Sequence, residues 1–143
     1  VLDNVNRISG ILPEMRTRLR LIAFAHDTFK YAEDRSRPRD WLKHHGILAR
    51  RFMESYCDDL AVLDIIETHD DAYYAWLQTK HEDALSDSKK KSLQSLFDRV
   101  GYCRQMYYLF FKCDTQTGDK TQAPLKWFEQ HVADIDIVKV AEP

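Results

Sequence analysis

The stretch Leu21-Ile22-Ala23-Phe24-Ala25-His26-Asp27-Thr28-Phe29-Lys30 sets an imidazole next to a carboxylate at the end of an apolar run. Met15, Leu19, Ile22 and Phe29 recur at helical spacing, and His26 falls on the same stripe. Burying an imidazole among leucines costs free energy unless a partner offsets its desolvation. Asp27 lies about 100° further round the helix, so both side chains can reach one ion beside it. Neutral imidazole with carboxylate is a ligand set for divalent transition metals or magnesium. His-Asp pairs also occur by chance, so the weight of this one depends on where the other polar outliers fall.

Three outliers fall on apolar stripes of their own. His45 sits between Trp41 and Leu48, His69 continues the face of Val62 and Ile66, and Asp114 continues the face of Tyr107 and Phe110. A single histidine on such a stripe is usually a satisfied core residue, and Asp114 alone would suit a turn. Burying a carboxylate and three imidazoles separately needs several independent hydrogen-bonded arrangements, whereas one metal centre satisfies them together. The helical neighbours of His44 are Arg51 and Ser55, which mark a solvated face. His45 is therefore the expected ligand, with His44 a candidate substrate contact at the mouth. His81, in a polar run, and His131, near the end of an amphipathic segment, read as surface residues.

The elements that must position these residues read as helices. Val1, Val5, Ile8 and Leu12 form a first stripe, halted near Pro13. The central helix starts near Thr17, a candidate N-cap, and runs into His26-Asp27. A charged connection, Glu33 to Arg39, leads to a third helix from about Asp40 with a stripe of Trp41, Leu48, Phe52 and Tyr56. Asp58 is the expected cap of the helix carrying Val62 and Ile66. The segment from Asp70 to Lys80 reads as helical with a break, and His81 to Lys91 as a loop. Leu93, Leu96, Val100, Cys103, Tyr107 and Phe110 share one face of the longest periodic segment, which reaches Asp114. A turn-rich loop from Thr115 to Thr121 precedes a last helix near Pro124, which a first turn tolerates. Ile135 to Val140 is expected as a short strand or an ordered tail.

Composition agrees with one all-α domain over residues 1–143. Glycine and proline number only 4 each, too few for a turn-rich β fold. A net charge of −2 gives no basic excess for nucleic acid. Cys57, Cys103 and Cys113 form no CxxC pair and read as reduced thiols of a cytoplasmic protein. No run reads as a membrane span or a signal peptide.

Taken in order, His26-Asp27, His45, His69 and Asp114 resemble the HD-domain superfamily of metal-dependent phosphohydrolases. The phrase Ala25 to Lys30 is similar to the family's HDxxK form. Ile65 to Asp70 and Phe110 to Asp114 look like the segments that carry its later ligands. The resemblance spans Val1 to about Phe128. It departs at one point: the family's first histidine lies on the preceding helix, and no histidine precedes His26. Val1 to Val5 resembles the sequence that follows that histidine, so the native N-terminal residues are expected to lie upstream.

The resemblance implies a helical bundle with a central site for one or two divalent ions, Mn, Fe, Ni, Co, Zn or Mg. His26, Asp27 and Asp114 would hold one ion with the upstream histidine. His45 and His69 would hold a second, with Asp27 bridging. Asp27 and Lys30 would be catalytic, and Lys30 would meet a phosphate oxygen. Lys112, Lys120 and Arg50 are candidates for an electropositive rim, with Lys112 contacting substrate. Glu33-Asp34 is similar to the acidic pair that guanosine-tetraphosphate hydrolases of the superfamily carry after the His-Asp motif. The implied activity is metal-dependent hydrolysis of a small phosphorylated molecule, foremost a nucleotide. The alternatives are a non-catalytic nucleotide or metal sensor on the same fold, and a helical interaction module with its histidines in core roles.

Overall fold

Proline opens the second helix rather than ending the first. A computed structural model of the chain describes residues 1–36, 38–80 and 91–143 and is all-α among them. Helix α1 covers Leu2–Arg7 and stops where Ile8 turns extended; α2 covers Pro13–Ala25. Pro13 fits the first turn because its missing N–H would have had no helical partner there. Thr17 is consequently inside α2, where its hydroxyl donates to the carbonyl of Pro13, and it caps nothing. The Arg16 guanidinium gathers the carbonyls of Val5, Asn6 and Ile8, which ties the start of α2 to the end of α1.

The third helix, α3, covers His45–Met53 and begins later than the sequence suggests. Asp40 caps a separate 3-10 turn, Trp41–Lys43, by accepting from the Leu42 N–H. The His44 side chain then caps α3 through the Gly46 N–H. The break resets the helical phase. His45, Gly46, Ala49 and Met53 are buried, while Phe52 and Tyr56 are exposed and Leu48 is only partly covered. Asp59, one residue after the expected cap Asp58, caps α4, Leu60–Thr68, and also holds the Arg18 guanidinium through both oxygens.

Helices α3 and α4 meet at Gly46, which has no room for a side chain. A Cβ there would lie 2.7 Å from the Glu67 carbonyl and 2.9 Å from that of Ile66. Backbone cannot step aside cheaply, so Gly46→Ala should destabilise the fold by about 1–3 kcal/mol, the usual cost of overpacking. Urea denaturation of the purified variant measures this, and an unchanged midpoint would contradict the close approach.

Helix α5, Asp71–Lys80, is continuous rather than broken. The expected loop of residues 81–91, with His81, lies outside the described residues except at Lys91. The long periodic segment divides into α6, Leu93–Val100, and α7, Arg104–Thr115, joined by a 3-10 turn at Gly101–Cys103. Its stripe survives the break, since Leu96, Val100, Tyr107 and Phe110 are all fully buried. Helix α7 is the spine: Met106 to Cys113 are buried without interruption. The Tyr107 hydroxyl donates to the Thr68 carbonyl and accepts from the Ala72 N–H, which pins the junction of α4 and α5. Helix α8, Ala123–His131, packs Leu125 and Phe128 on α7, with Pro124 in its first turn. The tail forms one antiparallel bridge, Val140 to Ile8. Among the described residues no helix is long and apolar enough to cross a membrane.

Candidate metal centre

Four helix termini converge on one point. His26 is the residue after α2, His45 opens α3, His69 follows α4, and Asp114 lies in the last turn of α7. All three histidines are buried. Each ring is fixed by a partner on its Nδ1, and in each case that partner can only accept. The Nδ1–H of His26 donates to the Ala23 carbonyl (2.9 Å), that of His69 to the Ile66 carbonyl (2.8 Å), and that of His45 to Glu33 Oε2 (2.7 Å). In the neutral rings the lone pair is therefore on Nε2 every time.

These Nε2 atoms face one another and a set of carboxylates. His45 Nε2 and His69 Nε2 lie 3.0 Å apart. Asp27 Oδ1 lies 3.4 Å from the first and 3.6 Å from the second. Asp70 approaches from the other side, Oδ2 at 3.3 Å from His45 Nε2 and Oδ1 at 3.6 Å from His69 Nε2. Next to this group, His26 Nε2 faces Asp27 Oδ2 at 3.3 Å and Asp114 Oδ1 at 3.7 Å. Asp27 thus presents one oxygen to each half of the site.

Two imidazole lone pairs at hydrogen-bond distance repel unless a proton or a cation lies between them. Asp27 Oδ1 and His26 Nε2 are also buried without a hydrogen-bond partner. Converging acceptors of this kind suit a divalent cation bound by nitrogen and oxygen. Asp27, His45 and His69 bring one ligand atom each within 4.8 Å of one another. A second group of similar spacing, Glu33 with His44 and His45, does not fit an ion. There the Glu33 carboxylate already holds the His45 Nδ1–H and the Arg39 guanidinium, and His44 Nδ1 accepts from Gly46.

The carboxylates respond to these neighbours. Burial alone would raise the Asp27 pKa, but His26, His45 and His69 hold it well below the usual carboxylate range. Burial likewise opposes the shift at Asp70, which the neighbouring His69 and His44 imidazoles carry downward. Burial pushes the His26 imidazole down, yet the Asp114 and Asp27 carboxylates facing its Nε2 outweigh it and raise its pKa to about 9. That proton and a metal ion compete for the same lone pair, so metal binding here releases protons.

Glu33, Asp70 and His44 have roles that helical periodicity did not reveal. Glu33 is sealed inside and fixes the His45 ring. It does not sit with Asp34 as an exposed acidic pair, and Asp34 remains at the surface. His44 is buried rather than solvated, and its Nε2 lies 3.2 Å from Asp70 Oδ2. Because its Nδ1 accepts, its Nε2 carries the proton on the side that faces Asp70. Lys30 reaches the site as expected, with Nζ 2.7 Å from Asp27 Oδ2. Lys112 does not: it is buried against Glu129 and Tyr108 between α7 and α8. Arg50 is engaged by Glu54, Asp64 and Glu67.

A cleft of about 320 Å³ opens over the site. His69, Asp70 and Asp114 line it together with Lys30 and Lys120, and Tyr73, Phe111 and Pro124 add apolar surface. Among protein-family models, that of the HD domain matches residues 1–101. No curated protein and no solved structure shows significant similarity to the chain.

Proposed function

The chain belongs to the HD-domain family, and from that premise we propose that it is a metal-dependent phosphohydrolase cleaving a small phosphate ester, foremost a nucleotide. The observation that carries this reading is the pair of Nε2 lone pairs of His45 and His69 meeting 3.0 Å apart in front of two carboxylates. His45, His69, Asp27 and Asp70 would hold one ion. His26, Asp114 and the second oxygen of Asp27 would hold another. When bound, such ions lower the pKa of a coordinated water and neutralise phosphate charge.

The protein's own residues supply orientation. Glu33 and the carbonyls of Ala23 and Ile66 keep each ring in the tautomer that offers Nε2. Lys30, half-exposed at the mouth, is placed to meet a phosphate oxygen as a point charge. Tyr73, 40% exposed, and Pro124 offer a flat apolar wall for the organic part of the substrate, which supports a nucleotide. In this reading residues 1–143 form one domain, because Asp114 and the cleft residues beyond residue 101 complete the site. The free thiols of Cys57, Cys103 and Cys113 support a cytoplasmic location.

The test is a screen of phosphorylated metabolites with manganese, iron, nickel, cobalt, zinc and magnesium. Phosphate release that depends on the metal is expected, together with a rise in Tm on metal addition. At a hundredfold excess over Kd, stabilisation of about 2.7 kcal/mol is expected. If elemental analysis finds no metal, no ion shifts the melting point and no ester is cleaved, the reading is wrong.

A further inference from the structure

The loop between α7 and α8 is built to hold one lysine over the site. Gly118 adopts a left-handed φ of 54°. The Thr117 hydroxyl donates to the Asp114 carbonyl, and the Gln122 amide donates to the carbonyls of Thr115 and Lys120. The turn so fixed lays Lys120 across the end of α7, with Nζ 2.9 Å from Asp114 Oδ1 and 3.1 Å from the Asp114 carbonyl. Lys30 lines the same cleft, with its Nζ on Asp27 Oδ2. The two ammonium groups are arranged alike. Each is about half exposed, each lines the cleft, and each occupies the carboxylate oxygen that faces His26 Nε2.

That arrangement has a consequence for charge. Each lysine that lines the cleft is paired to a carboxylate oxygen, so in the metal-free site neither ammonium group is free for an anion. An ion held by His26, Asp27 and Asp114 would draw on the same carboxylate oxygens, which would leave both ammonium groups on flexible stems free to turn toward the cleft. The geometry points to Lys120 as a second phosphate-binding residue, which joins Lys30 on the phosphate of the substrate once metal is bound. This rests on the hydrolase reading for the identity of the anion as a substrate phosphate.

The test uses the full chain loaded with manganese, as wild type, Lys120→Gln and Lys120→Arg. Calorimetry gives the Kd for inorganic phosphate, elemental analysis the metal content, and steady-state kinetics the KM for a cleaved phosphomonoester. Loss of one charged hydrogen bond predicts that Lys120→Gln weakens phosphate binding and raises KM by roughly ten- to a hundredfold. Metal content should be unchanged, and Lys120→Arg should stay near wild type. Unchanged phosphate affinity in Lys120→Gln overturns the assignment, as does loss of metal from that variant, which would make Lys120 a support for Asp114. Absence of phosphate binding by the wild type overturns it too. If the wild type binds phosphate through Lys120 but cleaves no ester, the hydrolase reading fails and the phosphate site stands.

Discussion

Asp27→Ala is expected to abolish metal-dependent phosphate release, a loss on the order of a thousandfold, or about 4 kcal/mol of barrier. Asp27 meets both halves of the site, with Oδ1 near His45 and His69 and Oδ2 near His26 and Lys30. No other described side chain approaches all three imidazoles, so its removal should dismantle both proposed ion sites together. The fold should survive. Asp27 lies in the turn after α2, outside the apolar core of Leu19, Ile22 and Ala25, and its side chain is 38% exposed. Turnover and metal content measured beside the Tm of the metal-free proteins check the claim. Asp27→Asn keeps the shape of the side chain and removes its charge, so it serves if the alanine variant fails to fold. Wild-type turnover in either variant would rule out the mechanism.

Periodicity made part of this site legible. His26, His69 and Asp114 were expected on buried faces because each continues an apolar helical stripe, and all three converge in the structure. Asp70 was missed because it falls one position past His69, where α4 has ended and helical phase no longer says which way a side chain points. A signal was available in the repeated dipeptide, His26-Asp27 and His69-Asp70. Glu33 had no such signal. It lies in a connection without regular structure, and the path that brings it to His45 is set by tertiary contacts, including its ion pair with Arg39.

The fold was legible in class and less so in its breaks. A stripe records which residues are buried, and a short 3-10 turn need not interrupt it. Leu93 to Asp114 accordingly read as one helix although the chain turns at Gly101–Cys103. At α3 the opposite happened. The break at His44 shifted the phase, so Phe52 and Tyr56 were expected inside and lie outside. His45 still faces inward because Gly46 lets α3 approach the backbone of α4. Lys112 was misplaced for a simpler reason. A lysine beside a ligand suggests a rim, and only the packing of α8 reveals Glu129 as its partner.

His45→Ala and His44→Ala should part company although the two rings are adjacent and both buried. His45 offers Nε2 to the centre and holds its tautomer through Glu33, so its loss should weaken metal binding by about a hundredfold or more, beyond what loss of a supporting partner costs. His44 offers no lone pair to the centre. Its Nδ1 accepts from Gly46, which leaves its proton on the Nε2 near Asp70, so His44→Ala should weaken metal binding by about tenfold at most. It should also lower the stability of the metal-free protein by about 0.5–2 kcal/mol, because α3 loses its cap. His44→Asn should restore much of that stability, since an asparagine side chain can accept from the same N–H. Metal titration by calorimetry and denaturation of the metal-free variants separate the effects. A larger metal defect in His44→Ala than in His45→Ala would mean that the ion is held on the Glu33 side of the rings. Negligible defects in both would remove the His45–His69 half and leave a single ion among His26, Asp27 and Asp114.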